Sequence, residues 1–311
     1  MITKAIVTMP PYAPYLKDVL KHPMVSGIRL NTVMPVKDSL EELVKRLHEE
    51  TELFHKDLWI DLKCRQLRIK TYGVPPFTEI ELTHNIKVET PVTAYFSDGR
   101  EAATVLEVQG NKLIMQEGPK RVVGPGESVN IRHPSLAIEG YLTDTDKRYI
   151  EAGAKNSAKC YMLSYVESTA DIEALKHLYA DAIPIAKIES QKGITYVNNS
   201  WNHEARLMAA RGDLYTELAM PHHIIDAVET IVHKDTSAIV ASRIFNSLAE
   251  SLEPSCQDIS DADNLLRMGY RTFMLGDDIC QHRDSVISAL NLLYALSENY
   301  ENRNSCKIFK A

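Results

Sequence analysis

Residues 183–214 read IPIAKIESQKGITYVNNSWNHEARLMAARGDL. Two apolar stretches, Ile183–Ile188 and Arg206–Ala210, are too short for helices and rich in Ile and Ala, so each reads as a buried strand. Charge follows both at once. Lys187 and Glu189 are two residues apart and therefore share one face of the first strand. Arg211, Gly212 and Asp213 follow the second and open the next helix.

The same unit recurs outward in both directions. Further strands are expected at Ala5–Met9, Val25–Leu30, Leu58–Asp61, Cys160–Ser164, Ala238–Ala241 and Thr272–Leu275. Helical patterns lie between most of them. Ser39–His55 places Leu40, Val44, Leu47 and Leu53 on one side. Ser168–Ala180 opens with an N-cap and an acidic first turn, and Asp261–Met268 ends at Gly269 as a C-cap. Arg283–Tyr300 carries the stripe Val286, Leu290, Leu293 and Leu296, and residues 298–311 read as a helix end with a loose terminus. Eight strand–helix alternations predict an α/β fold, a closed (β/α)8 TIM barrel.

Between Tyr72 and Leu136 the rhythm breaks. Alternating strand patterns are separated there by Asp-Gly, Gly-Asn and Gly-Pro-Gly turns. A structureless loop of that length is uncommon. A small β-barrel-like lid domain at 72–136, inserted after the third strand, is expected between barrel segments 1–71 and 137–311.

Composition narrows the class. The chain has 311 residues, 44% hydrophobic and 25% charged, as in globular proteins. A net charge of −7 argues against a nucleic-acid partner but allows a local positive pocket for a small anion. Five cysteines without CxxC spacing argue against a disulfide framework or structural zinc and for a reducing, cytoplasmic setting. The N-terminus lacks a signal-peptide pattern, and no apolar run approaches the ~18 residues that a membrane span needs.

In such a barrel the chemistry sits at the C-terminal ends of the strands. Glu189 and Asp213, from neighbouring ends, are candidates to hold Mg2+ or Mn2+, which prefer oxygen ligands and keep waters for the substrate. Lys187 beside them is a point positive charge aimed at an anion. The backbone amides around Ala210, Arg211, Gly212 and Asp213 offer a carboxylate or phosphate seat at a helix start. Arg29 and Asn31 follow the second strand, Asp61, Lys63 and Arg68 the third, and Ser242 the seventh. Taken singly, a Lys-Ile-Glu or Arg-Gly-Asp triplet is an ordinary charge pair or helix start. Their common position at strand ends is what carries the functional reading. Trp201 and Tyr215 read as packing residues, His222 and His223 as a solvated cap, and Cys64 and Cys280 as inert thiols.

These fragments resemble the pyruvate kinase family nearly end to end. TKAIVTMPP is similar to its first strand and turn, GIRLN to ARLN, IDLKCRQLRI to LDTKGPEIR, and IAKIESQKGI to the catalytic-lysine motif. YFSDG and GPGESVNI resemble parts of its lid, LMAARGDLYTEL resembles the metal motif MVARGDLGVE, and the stretch from IVASRIFNSL to the pair Ser260-Asp261 and Asn264 follows a further family segment. The resemblance implies that Glu189 and Asp213 hold the divalent metal, and that Lys187 contacts the transferring phosphoryl group and stabilises an enolate. It also implies that Arg29 reaches the phosphate, that the amides of Ala210 to Asp213 with Ser242 bind the substrate carboxylate, and that Asn31 and Asp61 belong to a monovalent-cation site. Lys63 and Arg68 fall on that cation or nucleotide side.

Departures from the pattern are as informative. Thr32-Val33-Met34 replaces Phe-Ser-His, Leu62 a threonine, and Gln66 an acid, so the K+ site looks damaged. Arg243 replaces a glutamine, and Gly276-Asp277-Asp278 replaces Ser-Gly-Glu. The inserted domain is shorter than usual, and neither a C-terminal regulatory domain after the barrel nor sugar-phosphate regulation is expected.

Three functions follow as expectations. One is phosphoryl transfer from phosphoenolpyruvate to ADP through an enolate. Another is a non-kinase enolate enzyme on a small ketoacid, namely a lyase, decarboxylase or phosphate-releasing enzyme. The last is a non-catalytic ketoacid-binding homologue, against which the intact lysine and two acids argue. A small carboxylate or phosphate substrate, ADP and a second copy of the chain are the expected partners.

Overall fold

The computed structural model describes residues 3–73, 79–97 and 99–308, with side chains to residue 303. In chain order the elements begin β1 (Lys4–Thr8), α1 (Leu16–Lys21), β2 (Val25–Asn31), α2 (Leu40–Glu52) and β3 (Asp57–Leu62). Seven short strands follow: β4 (Glu79–Glu81), β5 (Ile86–Lys87), β6 (Val92–Phe96), β7 (Glu101–Gln109), β8 (Lys112–Met115), β9 (Val129–Ile131) and β10 (Ala137–Ile138). The alternation then resumes with α3 (Asp144–Lys155), β11 (Cys160–Leu163), α4 (Thr169–Leu178), β12 (Ile183–Ile188), α5 (Gln191–Asn199) and β13 (Arg206–Ala210). It ends with α6 (Arg211–Glu217), α7 (His223–Lys234), β14 (Ile239–Ala241), α8 (Cys256–Met268), β15 (Thr272–Leu275) and α9 (Arg283–Ile308).

The parallel strands close in the order β1-β15-β14-β13-β12-β11-β3-β2, which is the expected (β/α)8 barrel. Helices wrap it because their apolar stripes and caps agree. On α2, for example, Leu43, Val44 and Leu47 are buried, and Ser39 and Glu42 form a reciprocal capping box. Two expectations need correction, and one helix was not anticipated. The last helix, expected to end near Tyr300 with a loose terminus after it, runs on as α9 to Ile308, with residues 309–311 outside the described residues. The helix expected from Asp261 starts at Cys256, because Ser255 caps it by accepting from the Asp258 amide. Residues 144–155, whose apolar stripe is thin, form α3 behind a Thr143–Asp146 capping box.

Between β3 and α3 the strands are antiparallel, in a five-stranded sheet β4-β8-β7-β6-β9 and a pair β5-β10. Their own apolar cluster includes Val92, Phe96, Leu113, Val129 and Ile131, and also draws in Leu67 and Ile69. The Asp-Gly turn expected after Ser97 rests on Asp98, which lies outside the described residues.

Barrel closure determines which side chains meet. Ile6, Trp59, Met162, Ile185, Met208, Ile239 and Met274 form one inward apolar cluster. Side chains alternate along a strand, so the next inward positions toward the C-terminal end lie two residues on. Those positions are Thr8, Asp61, Ser164, Lys187, Ala210, Ala241 and Gly276. The barrel is thus sealed by hydrocarbon below, while Thr8, Asp61, Ser164 and Lys187 make one side of the layer above polar.

Candidate active site

The polar layer opens into a cavity of about 460 Å³ whose lining includes Arg29, Lys63, Lys187, Glu189, Asp213 and Ser242. Lys187, at 5% exposure, is its centre. Its Nζ lies 3.1 Å from Glu189 Oε1 and 3.2 Å from Asp61 Oδ1, and donates to Ser164 Oγ at 2.8 Å. Burial alone would discharge this ammonium, but Asp61 and Glu189 outweigh it and hold its pKa above the usual lysine value. It therefore keeps its proton in the wall of the cavity.

Asp61 is fully buried and surrounded by cations. Its Oδ2 accepts from Arg29 Nε and from Lys63 Nζ, each at 2.8 Å. Burial pushes its carboxyl up, yet Lys187, Lys63 and Arg29 together hold it well below the ordinary range. Lys63 bears part of the cost: burial, with Arg29 and Lys187 nearby, brings its pKa down to about 8 despite Asp61.

The two expected metal acids behave differently. Glu189 Oε2 accepts from the Tyr165 amide at 2.8 Å. Burial, and then the Asp213 charge, outweigh Lys187 and raise the Glu189 carboxyl to about 7. Asp213 Oδ2 accepts from Gln66 Nε2 at 2.7 Å, and its Oδ1 from the Tyr165 hydroxyl at 3.2 Å. A carboxyl raised to about 7 chiefly by burial, with a second carboxylate nearby, fits a divalent cation, which favours the charged form of both. Among the described residues no group of three or more His, Cys, Asp or Glu is placed to hold a metal ion. Two hard oxygen donors match an ion such as Mg2+, which leaves its other positions to substrate and water.

The remaining expected residues divide. Ala210, Gly212 and Ser242 line the cavity, and Gly212 sits close enough to Ser242 that an added Cβ would lie 3.4 Å from its Oγ. Ser242 has φ +68° and Arg243 φ +56°, a strained turn that keeps the chain tight after β14. Arg211 is different. Its guanidinium grips Asp261 at 2.8 Å and the Ser242 and Arg243 carbonyls at 2.9 Å, so only its backbone is left for a ligand. Arg29 Nη1 and Asn31 Nδ2 both donate to Asp277, each at 3.0 Å. Arg68 donates to Gln66 Oε1 through Nε at 3.1 Å and also to the Gly126 carbonyl.

Sequence reading did not single out Thr8, Ser164, Tyr165, Asn130 or Glu217. Thr8 and Ser164 follow from the two-residue step above Ile6 and Met162. Glu217 stands four residues after Asp213, on the same helix face. Asn130, in the antiparallel sheet, carried no local signal. Of the residues given bland readings, Cys64 and Cys280 are buried thiols pushed up by burial, which accords with inertness. Trp201 packs against the main core. Tyr215 does not join the core: it is 38% exposed, with the Arg243 guanidinium over its ring at 4.4 Å.

Comparison with known proteins gives the family of the chain. The family model described as pyruvate kinase, barrel domain, matches residues 34–282. Pyruvate kinase from Methanocaldococcus jannaschii is 23% identical over 318 residues, covering 96% of this chain and 70% of the relative. That of Borreliella burgdorferi is 23% identical over 221 residues, covering 68% of this chain and 46% of the relative. That of Thermoplasma acidophilum is 27% identical over 57% of this chain and 34% of the relative. This chain thus spans about half or less of the length of two of these relatives. A crystal structure of Cryptosporidium parvum pyruvate kinase superposes with a TM-score of 0.78 at 18% identity, over 96% of this chain and 71% of that one. The match of the family model across most of the sequence shows that the chain belongs to the pyruvate kinase family.

Proposed function

We propose that this chain is a divalent-metal-dependent phosphotransferase that moves the phosphoryl group of phosphoenolpyruvate to ADP through an enolate. The observation that carries the reading is the buried ammonium of Lys187, held between Asp61 and Glu189 beside Asp213. A charge built in before substrate arrives stabilises developing negative charge without reorganising at the moment of reaction. Glu189 and Asp213 would hold Mg2+ or Mn2+, which when bound supplies further neutralisation of phosphoryl and enolate charge.

The protein's own groups do the positioning. Lys187 faces the bridging and enolate oxygen and stabilises the anion left when the phosphoryl group departs. Arg29, whose Nε edge Asp61 fixes, would meet the phosphate through Nη1 once the phosphate displaces Asp277 from it. The backbone at Ala210 to Asp213 and the Ser242 hydroxyl take the substrate carboxylate. Positioning of this kind is the main contribution proteins make to phosphoryl transfer.

A second reading has its own support. Asp277 occupies both Arg29 and Asn31, so a phosphoryl group that uses Arg29 must compete with a built-in carboxylate. That arrangement favours an enzyme that makes the same enolate without ADP, as a lyase, decarboxylase or phosphate-releasing enzyme does. The test is direct. The protein is mixed with Mg2+, phosphoenolpyruvate and ADP, pyruvate and ATP are assayed, and hydrogen–deuterium exchange at the pyruvate methyl is followed by NMR. ATP formation supports the kinase reading, and exchange without ATP supports the second. Silence in both assays sinks the two together.

A further inference from the structure

We infer that Asn130 is a positioning residue through which the antiparallel sheet sets Asp213, so that seating of this sheet and divalent-ion affinity are coupled. The inference rests on the reading of Glu189 and Asp213 as metal-holding carboxylates.

Asn130 is the middle residue of β9 and is 1% exposed. Val129 and Ile131 on either side belong to the apolar cluster of the antiparallel sheet. Alternation along the strand therefore turns Asn130 away from that cluster and toward the barrel. Its Nδ2 lies 2.8 Å from the Tyr165 hydroxyl, 2.8 Å from Glu217 Oε1 and 3.2 Å from Asp213 Oδ1. Tyr165 extends the link, since its hydroxyl meets the same Asp213 oxygen and its amide donates to Glu189 Oε2. Asn130 thus touches one metal acid directly and reaches the other through one tyrosine.

The opposite oxygen of Asp213 is tied to the same sheet. Gln66 donates to Oδ2, Arg68 holds Gln66 Oε1, and Arg68 also donates to the Gly126 carbonyl just before β9. Both carboxylate oxygens of a barrel residue are therefore oriented by donors that depend on where the antiparallel sheet sits. Beside this link the seam is hollow. A cavity of about 910 Å³ opens between Tyr95, Val129 and Ile131 on the sheet and Tyr165 and Glu217 on the barrel. At this seam, alignment falls to polar contacts more than to close apolar packing. Outer groups that orient a metal ligand typically change metal affinity by about 10- to 100-fold when removed. Coupling of this kind is reciprocal, so bound metal must also favour the seated sheet.

The experiment uses the full chain, stripped with chelator and titrated with Mn2+ alone, with free Mn2+ read by electron paramagnetic resonance and no substrate present. Asn130→Ala is expected to weaken Mn2+ binding by about tenfold or more. Tyr165→Phe, which removes the hydroxyl shared by Asn130 and Asp213 from the barrel side, is expected to weaken it in the same direction. Val129→Ala is the control: it loosens the sheet core without touching Asp213, and its Mn2+ affinity is expected to stay within about threefold of wild type. Mn2+ should slow proteolytic cleavage within the antiparallel sheet in wild type, and much less in Asn130→Ala. Wild-type affinity in both Asn130→Ala and Tyr165→Phe overturns the inference, as does an equal loss in Val129→Ala. Wild-type protein that binds no Mn2+ overturns the metal reading itself, a distinct result.

Discussion

Replacing Glu189 with Gln gives the most quantitative test of the site. The wild-type carboxyl rises from 4.5 to about 7, chiefly through burial and then through Asp213. At about 1.4 kcal/mol per pH unit, that rise amounts to roughly 3 kcal/mol. The folded state holds the proton more tightly than the unfolded state, so between pH 4.5 and about 7 it binds more protons. Stability from this group is therefore present at low pH, lost as pH rises through that window, and gone above about 7. Gln cannot titrate, so Glu189→Gln lacks this slope. It pays a constant penalty instead, because its amide faces Lys187. The assay is denaturant unfolding of chelator-treated wild type and variant from pH 4.5 to 8. The stability difference between them should move by roughly 2–3 kcal/mol in favour of the variant as pH rises. Groups common to both proteins, Glu217 among them, cancel in that difference. Saturating Mn2+ should restore wild type at pH 8 and do far less for Glu189→Gln. A difference that stays constant across the range would refute the argument that burial, with Asp213 adding to it, raises the Glu189 carboxyl.

Other predictions follow from the same cavity. Lys187→Met should lower pyruvate formation from phosphoenolpyruvate by at least about 100-fold and destabilise the fold by roughly 3–5 kcal/mol, because Asp61 and Glu189 lose their shared cation; coupled assay and thermal unfolding check the two effects. Activity should change less than about twofold when K+ is replaced by a large organic cation, since the Lys63 ammonium already lies 2.8 Å from Asp61; Lys63→Met should lose that independence. Asp277→Asn should release Arg29 and Asn31 and tighten phosphate binding by about fivefold, the worth of roughly 1 kcal/mol for a partly exposed pair, as read by calorimetric titration of inorganic phosphate.

Much of the barrel was legible because strand and helix periods are local. Ile183–Ile188, Arg206–Ala210 and Thr272–Leu275 form strands with the bounds that periodicity predicts. The pairing of Lys187 with Glu189 was equally legible, because residues two apart on a strand share a face whatever surrounds them. The weaker signals failed where pattern and outcome diverged. A polar stretch after Tyr300 stays helical, and Tyr215 is not packed into the core.

What the chain alone determined, then, was the set of elements and the charged residues at their ends, because both follow from neighbours in sequence. Closure of the barrel decided the partners. The register that sets Asn31 beside Asp61, and β3 beside β11, gathers Arg29, Lys63 and Lys187 around one buried carboxylate. It also turns Asp277 onto Arg29 and Arg211 out toward Asp261. The approach of Asn130 to Asp213 spans 83 positions and two different sheets. Contacts of that range depend on the summed packing of both units, and no local spacing encodes them.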